Sequence, residues 1–294
     1  MLKFEGSLTA LVTPFRNGAV DEKAFAGLVD RQVLAGTAGL VAAGSTGESP
    51  TLSEDDHEQV VRLCVEAARG RVPVIAGAGS NDTAKAITLA RRAERVGANA
   101  LLAATGYYNK PSQVGLFAHF KALHDATSLP IILYNVPGRT IANLSVETIA
   151  ALSKLPRIVA LKDATGDLSR VALQRLASGE SFTLLSGEDM TAVGFNAMGG
   201  RGCISVASNV APELCARLQA ATIRGDYAAA LAMQDRLTPL IEVLFRDVNP
   251  GPVKYGLSLM GLCTEELRLP LVPPPQAVKE EIRRALTALG LISA

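Results

Sequence analysis

The sequence predicts a (β/α)8 barrel with a C-terminal helical extension, and three observations carry that prediction. Eight short runs rich in apolar and β-branched residues recur along the first 206 residues. Longer amphipathic stretches separate them. The glycine fingerprint of an open, doubly wound dinucleotide-binding sheet is missing after the first run. Gly77-Ala78-Gly79 follows the third run instead and lacks the third glycine.

The runs span 8–13, 39–43, 72–76, 98–103, 130–134, 158–162, 182–185 and 203–206. Between them lie helical patterns, among them 22–35, 54–68, 83–96 and 113–125, with Ser53, Asp82 and Ser112 placed as N-caps. Strands alternating with helices pair in parallel through right-handed crossovers. Eight such units in about 210 residues close into a barrel. Beyond residue 207 the pattern is helical only, with turns at 224–226, 249–252 and 270–275. The expected division is a barrel over 1–224 and a helical extension over 225–294.

With 294 residues, 48% of them hydrophobic, the chain can bury a core without disulfide or metal staples. Its 29 Lys and Arg nearly balance 28 Asp and Glu, and no basic run occurs. That argues against nucleic acid or an anionic membrane surface as a partner. Four scattered cysteines and three histidines form no metal-ligand pattern, so no metal is expected. Reduced, buried thiols point to the cytoplasm. The stretch MLKFEGSLTALVTPF reads as a first strand, not a leader, and no apolar run approaches the roughly 20 residues of a membrane span.

Reactive groups in such barrels project from the C-terminal ends of the strands. Lys162 ends the sixth run, and alternation puts Ile158 and Ala160 on its side of the strand, with Val159 and Leu161 facing the helices. Desolvation in an apolar barrel favours the neutral amine that imine formation needs. Position alone leaves a second reading open, a strand-end lysine snorkelling to solvent. Tyr134 ends the preceding run and is either a proton shuttle or a buried phenol with one satisfied hydroxyl. Gly44-Ser45-Thr46-Gly47-Glu48 is either a carboxylate cradle of hydroxyls and N–H groups or a plain turn. Tyr107 and Tyr108 in one loop anchor a ligand, a subunit contact or merely the loop itself. Arg139 offers a fork for a carboxylate, or is a solvated surface side chain. No GxSxG, P-loop or HExxH occurs, and His119 and His124 are five apart, off the helical i, i+4 spacing. Glu188 and Asp189 after Gly187 disfavour a phosphate site there.

In this order the pieces resemble the pyruvate-dependent aldolases, the superfamily of dihydrodipicolinate synthase and N-acetylneuraminate lyase, over essentially the whole chain. Asn135-Val136-Pro137-Gly138-Arg139-Thr140, Tyr107 to Gln113 and Asn249 to Lys254 are similar to the synthase branch. The resemblance implies that Lys162 forms an imine with pyruvate and that Tyr134 is the acid/base. Thr46 and Tyr108 complete a hydroxyl relay, one tyrosine of the pair crossing from a neighbouring subunit. Ser45 and Thr46 hold the pyruvate carboxylate, Gly187 and Ile204 line its pocket, and Arg139 holds the carboxylate of aspartate semialdehyde. It implies the first committed step of lysine and diaminopimelate biosynthesis, no metal or organic cofactor, and a cytoplasmic homotetramer built as a dimer of dimers. Another pyruvate-dependent aldolase or dehydratase acting on a sugar acid is the alternative. In lysine-sensitive relatives the inhibitor sits at a subunit interface, at positions matching Ser49, Pro50, Glu54, His57, Asn81, Lys85 and Tyr107. Lys85 stands where those relatives carry a glutamate, so insensitivity to lysine is expected unless Glu54 compensates.

Overall fold

The computed structural model describes residues 3–293. Eight parallel strands form a closed barrel. They are β1 (Gly6–Ala10), β2 (Gly39–Ala42), β3 (Val74–Gly77), β4 (Ala100–Ala104), β5 (Ile131–Asn135), β6 (Ile158–Asp163), β7 (Thr183–Ser186) and β8 (Gly202–Ser205). Closure falls to β1, which pairs with β8 through Leu8↔Ile204 and with β2 through Thr9↔Leu40. Around it run α1 (Glu22–Leu34), α2 (Glu54–Ala68), α3 (Thr83–Arg95), α4 (Gln113–Ala126), α5 (Val146–Leu152), α6 (Ser169–Ser178), α7 (Ala192–Ala197) and α8 (Pro212–Ile223). This is the (β/α)8 barrel that the sequence predicts.

Local chemistry explains the helix starts. Ser53 caps α2 by accepting from the Asp56 N–H, and the Asp56 carboxylate accepts from the Ser53 N–H in return. Asp82 caps α3 and Ser112 caps α4 in the same sense. Strand alternation sorts the core into two layers. Leu8, Val41, Ile75, Leu102, Ile132, Leu185 and Ile204 fill the barrel, while Leu40, Leu101, Leu133, Leu161 and Leu184 meet the helices.

Three details differ from the sequence reading. The first strand ends at Ala10, because the Val12 N–H turns away to the Asn209 side chain at 3.2 Å. A hairpin, Phe15–Arg16 against Ala19–Val20, follows it. Asn17 and Gly18 at its tip both have positive φ, so the Asn-Gly pair carried a signal that the pattern of longer runs hid. Finally, β6 is irregular where it meets β5: Ile131 pairs with Ile158 but Ile132 with Ala160. The extra residue reverses the start of the strand. Ile158 therefore joins the helix-facing layer and Val159 packs toward the interior, opposite to strict alternation.

After α8 come α9 (Tyr227–Leu244), α10 (Gly251–Leu259) and α11 (Gln276–Ala288). Leu237, Leu240, Ile241, Leu257, Ile282 and Leu286 form a further core with Val12, Leu28 and Val210, which seats the tail against the barrel. No helix among the described residues is long and apolar enough to cross a membrane. All four cysteines are free, and Cys263 is only half-buried where burial was expected. Burial still pushes its thiol up to about 11.

Candidate active site

Lys162 and Tyr134 sit opposite each other in the register of β5 and β6. Both side chains are buried and point into the barrel, and the Lys162 Nζ lies 4.2 Å from the centre of the Tyr134 ring. Ala160, below Lys162, shares its side, as alternation predicts once the irregularity has been passed. Gly187 opens the space beside the lysine. A Cβ there would come to 2.7 Å from the Ala164 Cβ and 3.0 Å from the Lys162 Cε. Gly187→Ala is therefore expected to displace the Lys162 side chain or the Ala164 backbone and to lower the melting temperature; an unchanged melting temperature would show that the contact is relieved at no cost. Ile204 is fully buried in the inner layer below.

A cavity of about 370 Å³ opens above Tyr134, within the size range of small-molecule sites. Gly44, Ser45, Ala104, Tyr134, Arg139 and Asn249 line it. The loop after β2 bends back through Ala43 at φ 52° and Glu48 at φ 58°, a conformation that L-residues adopt only under constraint. Gly47 and Ser49 donate to the Gly44 carbonyl, and Glu48 to that of Ser45. The N–H groups of Ser45 and Thr46 find no backbone acceptor among the described residues, which suits them to an anion. Thr46 is buried, and its Oγ1 accepts from the Asn249 Nδ2 at 3.0 Å. Gly77 lets this loop lie on β3, since a Cβ there would stand 2.1 Å from the Ala43 carbonyl oxygen. Arg139, on the one-turn helix Pro137–Thr140, is exposed at the cavity wall.

The constraint on the loop has a visible source. Glu48 and Lys254 form an ion pair at 2.5 Å with both side chains fully buried. The Lys254 Nζ also donates to the Glu266 carbonyl at 2.8 Å and lies 4.2 Å from the Phe15 ring centre. The Arg268 N–H completes the Glu48 carboxylate at 3.0 Å. Burial holds the Lys254 ammonium below its ordinary range, and Glu48 opposes that shift. Sequence reasoning placed no role on Glu48, Lys254 or Asn249. A single lysine in the apolar stretch Gly251–Leu259 was the available signal, because such a cation is buried only with a partner.

Tyr107 and Tyr108 lie on the loop after β4. Tyr107 lines the cavity, while Tyr108 is 88% exposed at φ 67° and points away from the barrel. The Asn109 side chain ties this loop to the Asn81 carbonyl at 2.9 Å. Asn81 thus anchors the loop and is not among the cavity's lining residues, whereas Ser49, Pro50, Glu54, His57 and Lys85 are. Burial lowers the His57 imidazole, whose Nε2 lies 2.6 Å from the Gly77 carbonyl oxygen. Glu54 pairs with Arg92 at 3.1 Å, a cation it shares with Asp55 and Glu58. Its charge is already engaged.

On the opposite side Glu188 is raised by burial and by the neighbouring Asp189, with Lys162 acting against both. Asp189 itself accepts from the N–H groups of Val206 and Ala207 at 2.8 and 3.1 Å. Those donors, which a phosphate would need, are already taken by a carboxylate. Among the described residues no group of three or more His, Cys, Asp or Glu is arranged to hold a metal ion.

Comparison with known proteins places this geometry. Residues 3–289 match the model of the dihydrodipicolinate synthetase family. A 4-hydroxy-tetrahydrodipicolinate synthase of Parvibaculum lavamentivorans is 60% identical over 290 residues, 99% of this chain and 100% of that protein. A chloride-inhibited dihydrodipicolinate synthase from Acinetobacter baumannii, complexed with pyruvate, superposes with a TM-score of 0.97 at 42% identity, covering 99% of this chain and 100% of the other. The Cyanidioschyzon merolae enzyme with lysine bound superposes at 0.95 and 37% identity, covering 98% and 99%. Matched along nearly its whole length in sequence and in structure, the chain belongs to the dihydrodipicolinate synthetase family.

Proposed function

We propose that this chain is a 4-hydroxy-tetrahydrodipicolinate synthase, a lyase of the class I aldolase type that condenses pyruvate with L-aspartate 4-semialdehyde through a Schiff base on Lys162. The observation that carries the reading is the Lys162 amine, buried inside the barrel against the ring of Tyr134, which itself lines the cavity with Ser45 and Arg139. The neutral amine adds to the pyruvate carbonyl and water leaves, forming the imine. Loss of a methyl proton gives the enamine, whose carbon attacks the aldehyde and leaves an alkoxide to be protonated. The amino group of the second substrate then attacks the imine carbon, closes the ring and expels Lys162 as the free amine. Tyr134 is the acid/base of these transfers, with Thr46 and Tyr108 of a second subunit as its relay. Ser45 and Thr46 hold the pyruvate carboxylate, and Gly187 and Ile204 shape its pocket.

The assembly in this reading is a cytoplasmic homotetramer, a dimer of dimers, which gives the exposed Tyr108 a neighbour's site to enter. In this reading the barrel spans 1–224 and the helical extension 225–294, a division that falls between α8 and α9; residues 1, 2 and 294 of the two spans lie outside those described. A coupled assay with pyruvate and aspartate semialdehyde tests the function. Turnover with a sugar-acid aldehyde and none with the semialdehyde would overturn it.

Two results follow. Because Arg139 is exposed, its loss is expected to cost the contact but not to bury an unpaired charge. Arg139→Ala raises the KM for aspartate semialdehyde roughly tenfold to a hundredfold and leaves pyruvate trapping intact. Equal damage to trapping would assign Arg139 to the first half-reaction or to the fold. L-lysine is expected to inhibit weakly or not at all at sub-millimolar concentration. Lys85 repels an ammonium group, and Glu54, engaged by Arg92, does not replace the missing carboxylate. A titration in the coupled assay decides this, and restored inhibition in Lys85→Glu is the expected counter-experiment.

A further inference from the structure

We propose that Asn249, which belongs to the helical extension and not to the barrel, is a positioning residue that directs the Thr46 hydroxyl toward the reacting groups. The inference rests on the reading of Thr46 as a relay hydroxyl. Asn249 is 5% exposed, lines the cavity and donates from Nδ2 to the Thr46 Oγ1 at 3.0 Å, across 203 residues of sequence. A hydroxyl carries one hydrogen. With Oγ1 already accepting from the amide, that hydrogen is left to be donated elsewhere, and the directions open to it are reduced. Thr46 thereby becomes a donor of fixed orientation, which a relay requires at the phenol.

Two further observations separate this from ordinary packing. The Asn249 Oδ1 is buried without a partner among the described residues and belongs to a residue on the cavity wall, which leaves it to accept from what the cavity holds. The same segment grips the same loop a second time, through Lys254 on Glu48, five residues further on and two residues from Thr46. The extension therefore holds both ends of the Thr46–Glu48 turn. One contact secures the backbone and the other orients a hydroxyl.

Asn249→Asp tests this with almost no change of shape. A carboxylate only accepts, so Thr46 must turn its hydrogen onto residue 249 and is lost to the relay. The expected result is a fall in kcat of roughly 10- to 100-fold, the scale of a lost proton-transfer partner, larger than the rise in KM that a new negative charge beside two anionic substrates brings. The yield of borohydride-trapped pyruvate adduct at saturation stays complete. Thr46→Val is expected to show a loss of the same size. The double variant Thr46→Val/Asn249→Asp is expected to be no worse than Thr46→Val alone, because Asn249 acts only through Thr46. Losses that multiply, or native kcat in Asn249→Asp beside an impaired Thr46→Val, would overturn the positioning role alone. Native turnover in Thr46→Val would overturn the relay reading on which it stands. Should Asn249→Asp fail to fold, Asn249→Ala enters the same cycle, with the same requirement of non-additivity.

Discussion

Lys162→Ala is expected to leave no borohydride-trapped pyruvate adduct and to lower kcat by roughly a thousandfold or more, the scale seen when a covalent nucleophile is removed. Lys162 is buried on the inner face of β6 and sits against the Tyr134 ring. Buried lysines are rare unless paired, and the salt bridges found among the described residues include none to Lys162. A lysine held this way for structure alone would be a poor use of a barrel interior otherwise filled by Leu, Ile and Val. Reduction of the imine adds a pyruvate-derived mass to one residue, and peptide mapping locates it. An adduct that persists in Lys162→Ala, or one mapped elsewhere, would remove the assignment. Retention of the fold is read from the melting temperature, because a truncated lysine that no longer fills its space costs stability as well as chemistry.

Lys254→Met is expected to cost about 3–5 kcal/mol, the usual result of breaking a buried pair and leaving one charge behind. At this chain length that corresponds to a fall in melting temperature on the order of 10 °C. Glu48 would keep its bond from the Arg268 N–H but lose the cation that neutralises it. The double variant Glu48→Gln/Lys254→Met removes both charges and is expected to recover most of the loss. Melts at one fixed protein concentration make the comparison, since assembly also moves the midpoint. Equal destabilisation of the single and double variants would show that packing, not the charge, is what Lys254 contributes. Activity is expected to fall further than stability in the single variant, because the pair holds Glu48 in its positive-φ conformation beside Ser45 and Thr46.

Much of the candidate site was legible before the fold was known. Lysine and tyrosine at the ends of adjacent apolar runs are visible as pattern, and a barrel sends such positions toward one face. Resemblance added the roles. The Asn-Gly hairpin was equally visible, but two-residue strands fall below the length at which periodicity speaks. Arg139 illustrates a middle case: its loop was read correctly as following β5, yet its exposure, which sets the size of its expected effect, follows from the short helix Pro137–Thr140.

By itself the sequence determined the order of the eight strands, the caps at Ser53, Asp82 and Ser112, and the strand-end positions of Tyr134 and Lys162. These depend on local periodicity and on hydrogen bonds within a few residues, which any stretch carries with it. Tertiary structure alone decided the rest. The irregularity in β6 inverted Ile158 and Val159, because the face a strand residue takes depends on its register against β5. The tertiary fold also brought Glu48 to Lys254 across 206 residues and Thr46 to Asn249 across 203. No local pattern encodes such contacts, since whether a buried charge or amide finds its partner is settled only when distant segments share one low-dielectric space.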